Sequence, residues 1–202
     1  MTEHLVREAL RQSKVLLSTR SRFKLAFNIS QEHFLSDGFL DSLSRLVRDA
    51  GVSHENIEIE LTERQSFEHP AKAAGIAREA REMGFTIALD DTGSGHNGLA
   101  QVQELPLDVI KIDKKFVDRV CVDAAAEAIV KMLVKLAREL GMTTLAEGIE
   151  TEAQRAKLIA CGVDLGQGYL VAPALRAEAL FELIEREARS GGVAELRPIE
   201  AA

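Results

Sequence analysis

Three groups of carboxylates stand where a short apolar run stops. They are Ile57-Glu58-Ile59-Glu60-Leu61-Thr62-Glu63, Phe85-Thr86-Ile87-Ala88-Leu89-Asp90-Asp91 and Thr143-Thr144-Leu145-Ala146-Glu147-Gly148-Ile149-Glu150. Around them lie Asn28 after Leu25-Ala26-Phe27, Lys111 in Val109-Ile110-Lys111-Ile112-Asp113, and Gln167 in Leu165-Gly166-Gln167-Gly168. A donor set of oxygens alone suits a hard divalent cation such as Mg²⁺ or Mn²⁺. Carboxylates gathered on one face repel one another, and a cation between them removes the cost. Any one acidic residue at a strand end is more often solvated or capping the next helix. Lys111 alone reads as a rim lysine, and Gln167 between glycines as turn chemistry. Their joint occurrence at successive strand ends is what points to metal chemistry.

Such chemistry needs elements that bring strand ends together. Apolar periodicity predicts a helix over 3–17, a strand Phe23–Ser30, a helix Phe39–Ala50 stopped by Gly51, and a strand Ile57–Glu63. A helix over 70–83 follows, opened by Pro70 and closed by Gly84, then a strand Phe85–Asp90 and a glycine-rich turn. Further on come a strand Asp108–Ile112, a helix Ala124–Leu140, a strand Thr143–Glu147, a helix over 152–160, a short strand Val163–Gln167 and a helix Ala177–Ala188. Short apolar runs separated by helices read as parallel strands of an α/β fold, and a (β/α) barrel keeps its active site at the carboxyl ends of its strands. The count is six strands where a closed barrel has eight, and the shortfall lies at the amino end.

The bulk properties narrow the partners. The 202 residues make one sizeable domain, taken as 1–190 with a loose tail over 191–202. A formal charge of −7, scattered Lys and Arg, and no Trp argue against a nucleic-acid polymer as partner. A small anionic ligand stays open if metal ions supply positive charge. Cys121 and Cys161 are expected to be buried or half-buried free thiols. With no CxxC, HExxH or Cys/His cluster, a zinc site is not expected. No apolar run reaches membrane-spanning length and no signal peptide opens the chain, so a cytoplasmic chain without membrane contact of its own is expected, leaving a membrane anchor on a longer parent open.

The order of motifs is more specific than any one of them. Asn28-Ile29-Ser30, Glu60-Leu61-Thr62-Glu63, Asp90-Asp91, Lys111-Ile112-Asp113, Ala146-Glu147-Gly148-Ile149-Glu150-Thr151 and Gly166-Gln167-Gly168-Tyr169 occur in this order. Together they closely resemble the EAL-domain family, bacterial phosphodiesterases of cyclic di-GMP, from about residue 5 to about residue 185. The resemblance implies a TIM-like (β/α) barrel, here incomplete at its amino end. It implies two divalent cations, Mg²⁺ or Mn²⁺, with Asn28, Glu60 and Asp90 on one ion and Asp90, Asp91 and Glu147 toward the second. Lys111, Glu147 and Gln167 take the catalytic roles, with Lys111 orienting or activating the attacking water and Gln167 behind the ligands or on a water. Glu63 anchors the glycine-rich loop of Gly93 and Gly95, and Asp113 and Glu150 support the loop or the substrate. The reaction implied is hydrolysis of cyclic di-GMP to linear pGpG. The alternative is a receptor that holds the same ligand uncleaved. The resemblance also implies a larger multidomain signalling protein, and leaves pairing of two copies through the later helices open.

Two literal matches are read as decoys. Glu8-Ala9-Leu10-Arg11 spells the family's signature, but it lies in a helical run twenty residues before Asn28, where a side chain cannot reach the strand ends. The signature strand and its metal ligand are then missing. The chain is accordingly expected to be a piece of a longer protein or to have its gap covered by another chain, and its activity alone stays open. Gly93-Ser94-Gly95-His96-Asn97-Gly98 spells GxGxxG with Asp113 twenty residues on, the spacing of a dinucleotide-binding turn. Asp90 and Asp91 beside a pyrophosphate, and Pro106 so soon after the glycines, argue against that reading.

Overall fold

A computed structural model describes residues 3–19, 23–62, 69–93 and 98–189. In chain order its elements are α1 (Glu3–Thr19), β1 (Leu25–Asn28), α2 (Gln31–Phe34), α3 (Phe39–Asp49), β2 (Ile57–Thr62), α4 (Pro70–Glu82), β3 (Thr86–Thr92) and α5 (Gly98–Glu104). They continue with β4 (Val109–Ile112), α6 (Lys114–Val117), α7 (Ala124–Glu139), β5 (Thr143–Ala146), α8 (Glu152–Cys161), β6 (Leu165–Gly166) and α9 (Ala177–Arg189). The described residues thus hold six strands against the eight of a closed barrel. The chain divides into two compact units, Met1–Asp90 with Gly95–Asp108, and Asp91–Ser94 with Val109–Ala202.

In the first unit β1, β2 and β3 pair in parallel. Asn28 stands opposite Glu60, and Thr62 opposite Asp90. Side chains alternate between faces along a strand, so this register puts Asn28, Glu60, Thr62 and Asp90 on one face. The opposite face carries Phe27, Ile57, Ile59, Leu61, Ile87 and Leu89, all buried. In α4 the buried residues Ala73, Ala77 and Ala80 form a narrow stripe of small side chains, which lets a helix approach closely.

In the second unit β4, β5 and β6 are also parallel. Lys111 is in register with Leu145, and Leu145 with Leu165. Glu147 and Gln167 follow Leu145 and Leu165 by two residues, so Lys111, Glu147 and Gln167 share a face. On the other face Ile112 and Ala146 join Val130, Leu133 and Val134 of α7 and Leu158 of α8 in one buried core. That division, apolar toward the helices and polar on the other side, is what a parallel βα layer requires.

Several boundaries move. The strand expected over Phe23–Ser30 shortens to Leu25–Asn28, because Ser30 caps α2 by accepting from the His33 amide. The strand expected to stop at Asp90 runs on to Thr92, and the last strand shrinks to Leu165–Gly166. The expected burial of both thiols is wrong for Cys121, which is exposed in the turn between α6 and α7; Cys161 is buried. The helix after the glycine-rich turn is described over Gly98–Glu104. Glu63, Gly95 and the tail over 191–202 lie outside the described residues. No described helix is long and apolar enough to cross a membrane.

Candidate active site

The second unit gathers four of the expected residues. Lys111 sits mid-face on β4 with its side chain only 4% exposed, and its Nζ lies 2.7 Å from Glu147 Oε1. A buried ammonium demands such a partner, since its desolvation is otherwise uncompensated. Gln167 Nε2 donates to the same oxygen at 2.8 Å. Backbone bonds hold both partners at their strand exits: the Glu147 amide donates to Ile112 O at 3.2 Å, and the Gln167 amide to Ala146 O at 2.9 Å. A carboxylate oxygen of Asp91 lies within 4.8 Å of one of Glu147. Asp91 reaches this position through an unusual backbone. Its φ is +57°, the left-handed region, and among the described residues it is the one non-glycine found there. Strict alternation would have sent it to the side of Leu89; the left-handed turn breaks that alternation. Gly93 follows at φ +88°, with the Phe116 ring where a β-carbon would be.

In the first unit Asn28, Glu60 and Asp90 occupy the shared polar face described above, with Glu60 buried and Asp90 half-buried. Glu58, one step deeper on the same face, is also buried and stands opposite Thr86, whose hydroxyl accepts from Lys24. The remaining expected residues have local work. Asp113 caps α6 by accepting from the Lys115 amide at 2.8 Å. Glu150 accepts from Lys114 Nζ at 2.8 Å. Lys114 belongs to none of the sequence motifs above. Its signal was available only as a cation one residue past a helix-capping Asp, a common surface arrangement.

Glu8 is occupied inside α1. Its two carboxylate oxygens accept from Arg11 at 2.9 and 2.6 Å and from Gln12 at 2.6 Å. The Arg11 hydrogen bonds, and then that of Gln12, hold its carboxyl down at about 2. It is a surface helix residue, as expected.

The family model described as EAL domain matches residues 1–174. Cyclic di-GMP phosphodiesterase PdeL of Escherichia coli is 38% identical over 151 residues, which is 75% of this chain and 42% of that protein. The chain spans under half of the length of the curated relatives it matches. Among solved structures, the PaMucR phosphodiesterase in its c-di-GMP complex superposes with a TM-score of 0.81 at 31% identity, covering 88% of this chain and 72% of that one. The EAL domain of Mycobacterium smegmatis DcpA reaches a TM-score of 0.83 at 24% identity over 91% and 82% of the two chains, a likeness of fold. Matched by the family model over residues 1–174 and by these folds, the chain belongs to the EAL domain family.

Proposed function

We propose that this domain hydrolyses cyclic di-GMP to linear pGpG, using divalent cations held by Asn28, Glu60, Asp90, Asp91 and Glu147. The observation that carries the reading is the convergence of Lys111, Gln167 and Asp91 on Glu147. The donor set consists of carboxylate and amide oxygens, which fits a hard cation such as Mg²⁺ or Mn²⁺ and not a thiolate-seeking metal. Bound cations would supply the charge that makes water a nucleophile at neutral pH and offsets negative charge developing on the phosphate. In the reaction one P–O ester bond breaks, water provides the new P–O bond, and the released hydroxyl takes a proton.

The chain's own residues orient and hold. An ammonium has three donors and no acceptor, so Lys111 beside Glu147 acts as a directional donor toward water or a phosphate oxygen. Glu147 fixes that ammonium and Gln167 fixes Glu147. Glu63 and Gly95 are assigned to the loop after Gly93, with Asp113 and Glu150 supporting it. The domain is one part of a larger cytoplasmic signalling protein, a reading supported by its span of under half its relatives. Pairing of two copies through the later helices belongs to the same proposal.

Binding without cleavage is the second reading. It is favoured by Glu8, whose carboxylate is engaged by Arg11 and Gln12, so that this literal Glu-Ala-Leu supplies no metal ligand. Titration of the chain with Mn²⁺ and then with cyclic di-GMP, followed by chromatography of the nucleotide, separates the two. Linear product supports hydrolysis, bound but intact ligand supports the receptor, and no binding of either metal or nucleotide overturns both.

A further inference from the structure

We propose that Gly168 and Lys114 are positioning residues that pin the Glu147–Glu150 turn against the exit of β6, and so set where Glu147 meets Lys111 and Gln167. After β5 the chain leaves regular structure at Glu147-Gly148-Ile149-Glu150. Ile149 ties this turn to the next strand exit twice. Its amide donates to Gln167 O at 3.0 Å, and its carbonyl accepts from the Leu170 amide at 2.9 Å. Gly168 lies between those two partners, and a β-carbon on it would run into both the N and the O of Ile149. The same two atoms make the bonds, so any side chain at Gly168 forces the strand exits apart.

Lys114 holds the turn through a second set of contacts. Its Cγ and Cδ lie where a β-carbon on Gly148 would be, 2.5 and 2.6 Å from that position. Its ammonium donates to Glu150, the last residue of the turn, at 2.8 Å, and to Asp118 at 2.6 Å on its own segment. Its hydrogen bonds to Asp118 and then to Glu150 raise its pKa, which keeps the strap charged. Ile149 completes the anchoring by burying in the core of the second unit. Glu147 is the first residue of the turn so fixed, and an outer contact that aims a ligand commonly governs metal affinity.

The functional consequence rests on the hydrolytic reading above; the geometric content does not. The test uses the side-chain amide NMR signals of Gln167 in the 202-residue chain, with Mn²⁺ titration beside it. Gly168→Ala should move both Gln167 Nε2 proton signals toward those of a solvated amide and weaken Mn²⁺ binding by about tenfold or more. Lys114→Ala should shift them less, and Lys114→Met, which keeps the hydrocarbon over Gly148, least. Glu127→Gln, a surface change on α7, should leave them in place even if it lowers the melting temperature. If Gly168→Ala does not fold, the Lys114 pair decides. Gln167 signals at their parental positions in a folded Gly168→Ala, or in Lys114→Ala, overturn the proposal. A parent that binds no Mn²⁺ overturns the hydrolytic reading while the Gln167 signals still judge the positioning.

Discussion

Lys111 Nζ and Glu147 Oε1 meet at 2.7 Å across the neighbouring strands β4 and β5, the lysine almost sealed from water and the glutamate side chain 17% exposed. Removing one partner of a fully buried pair costs about 3–5 kcal/mol. Water reaches the glutamate here, so Lys111→Met should cost less, about 2 kcal/mol. Urea denaturation checks this, as a lowered midpoint at constant slope. A midpoint equal to the parent's would show the pair to be energetically idle.

Metal binding separates the proposed ligands from look-alikes. Asp90→Asn and Asp91→Asn should each weaken Mn²⁺ affinity by about tenfold or more, since each removes an anionic donor. Asn tolerates the left-handed backbone at position 91, so that change tests charge and not strain. Glu8→Ala should leave the titration unchanged. Calorimetry in which Glu8→Ala loses the metal would make the α1 motif a true signature.

Acid stability should report on Glu127, which accepts from Lys131 at 2.7 Å and from Lys157 of α8 at 2.7 Å. The hydrogen bond from Lys131, and then that from Lys157, lower its carboxyl from 4.5 to about 2. A depressed folded-state pKa contributes stability that is present above 4.5 and lost as pH falls toward 2. Thermal melting of Glu127→Gln should therefore show a shallower decline than the parent between those pH values. Parallel curves would exclude the linkage.

The start of α8 is fixed by a reciprocal cap. The Gln154 amide donates to Thr151 Oγ1 at 3.2 Å, while Gln154 Oε1 accepts from the Glu150 and Thr151 amides at 2.9 Å each. Thr151→Ala should cost about 1 kcal/mol. In a chain of this size that is a fall of about 2–4 °C in melting temperature. Thr151→Ser, which keeps the hydroxyl, should recover most of it.

Much of the site is legible in the sequence. Asn28 and Glu147 can be placed at strand exits because each closes an apolar run, Glu60 and Lys111 fall inside β2 and β4, and helices between such runs force parallel pairing. The helix stops at Gly51, Gly84 and Gly141 are readable for the same local reason, and each follows its helix in the structure. The short helices α2 and α6 are not, because four residues carry no periodicity; only their caps, Ser30 and Asp113, announce them.

Which residue types close or punctuate the apolar runs, and with them the family, is readable from the chain alone. Local pattern suffices for that, since alternation and turn chemistry act over a few neighbours. Packing is what brings Lys111 and Gln167 to one oxygen of Glu147, turns Asp91 left-handed toward it, and sets Gly168 against the Ile149 backbone. Those relations join residues 19 or more positions apart, and they exist only once packing brings neighbouring strands to within hydrogen-bond reach.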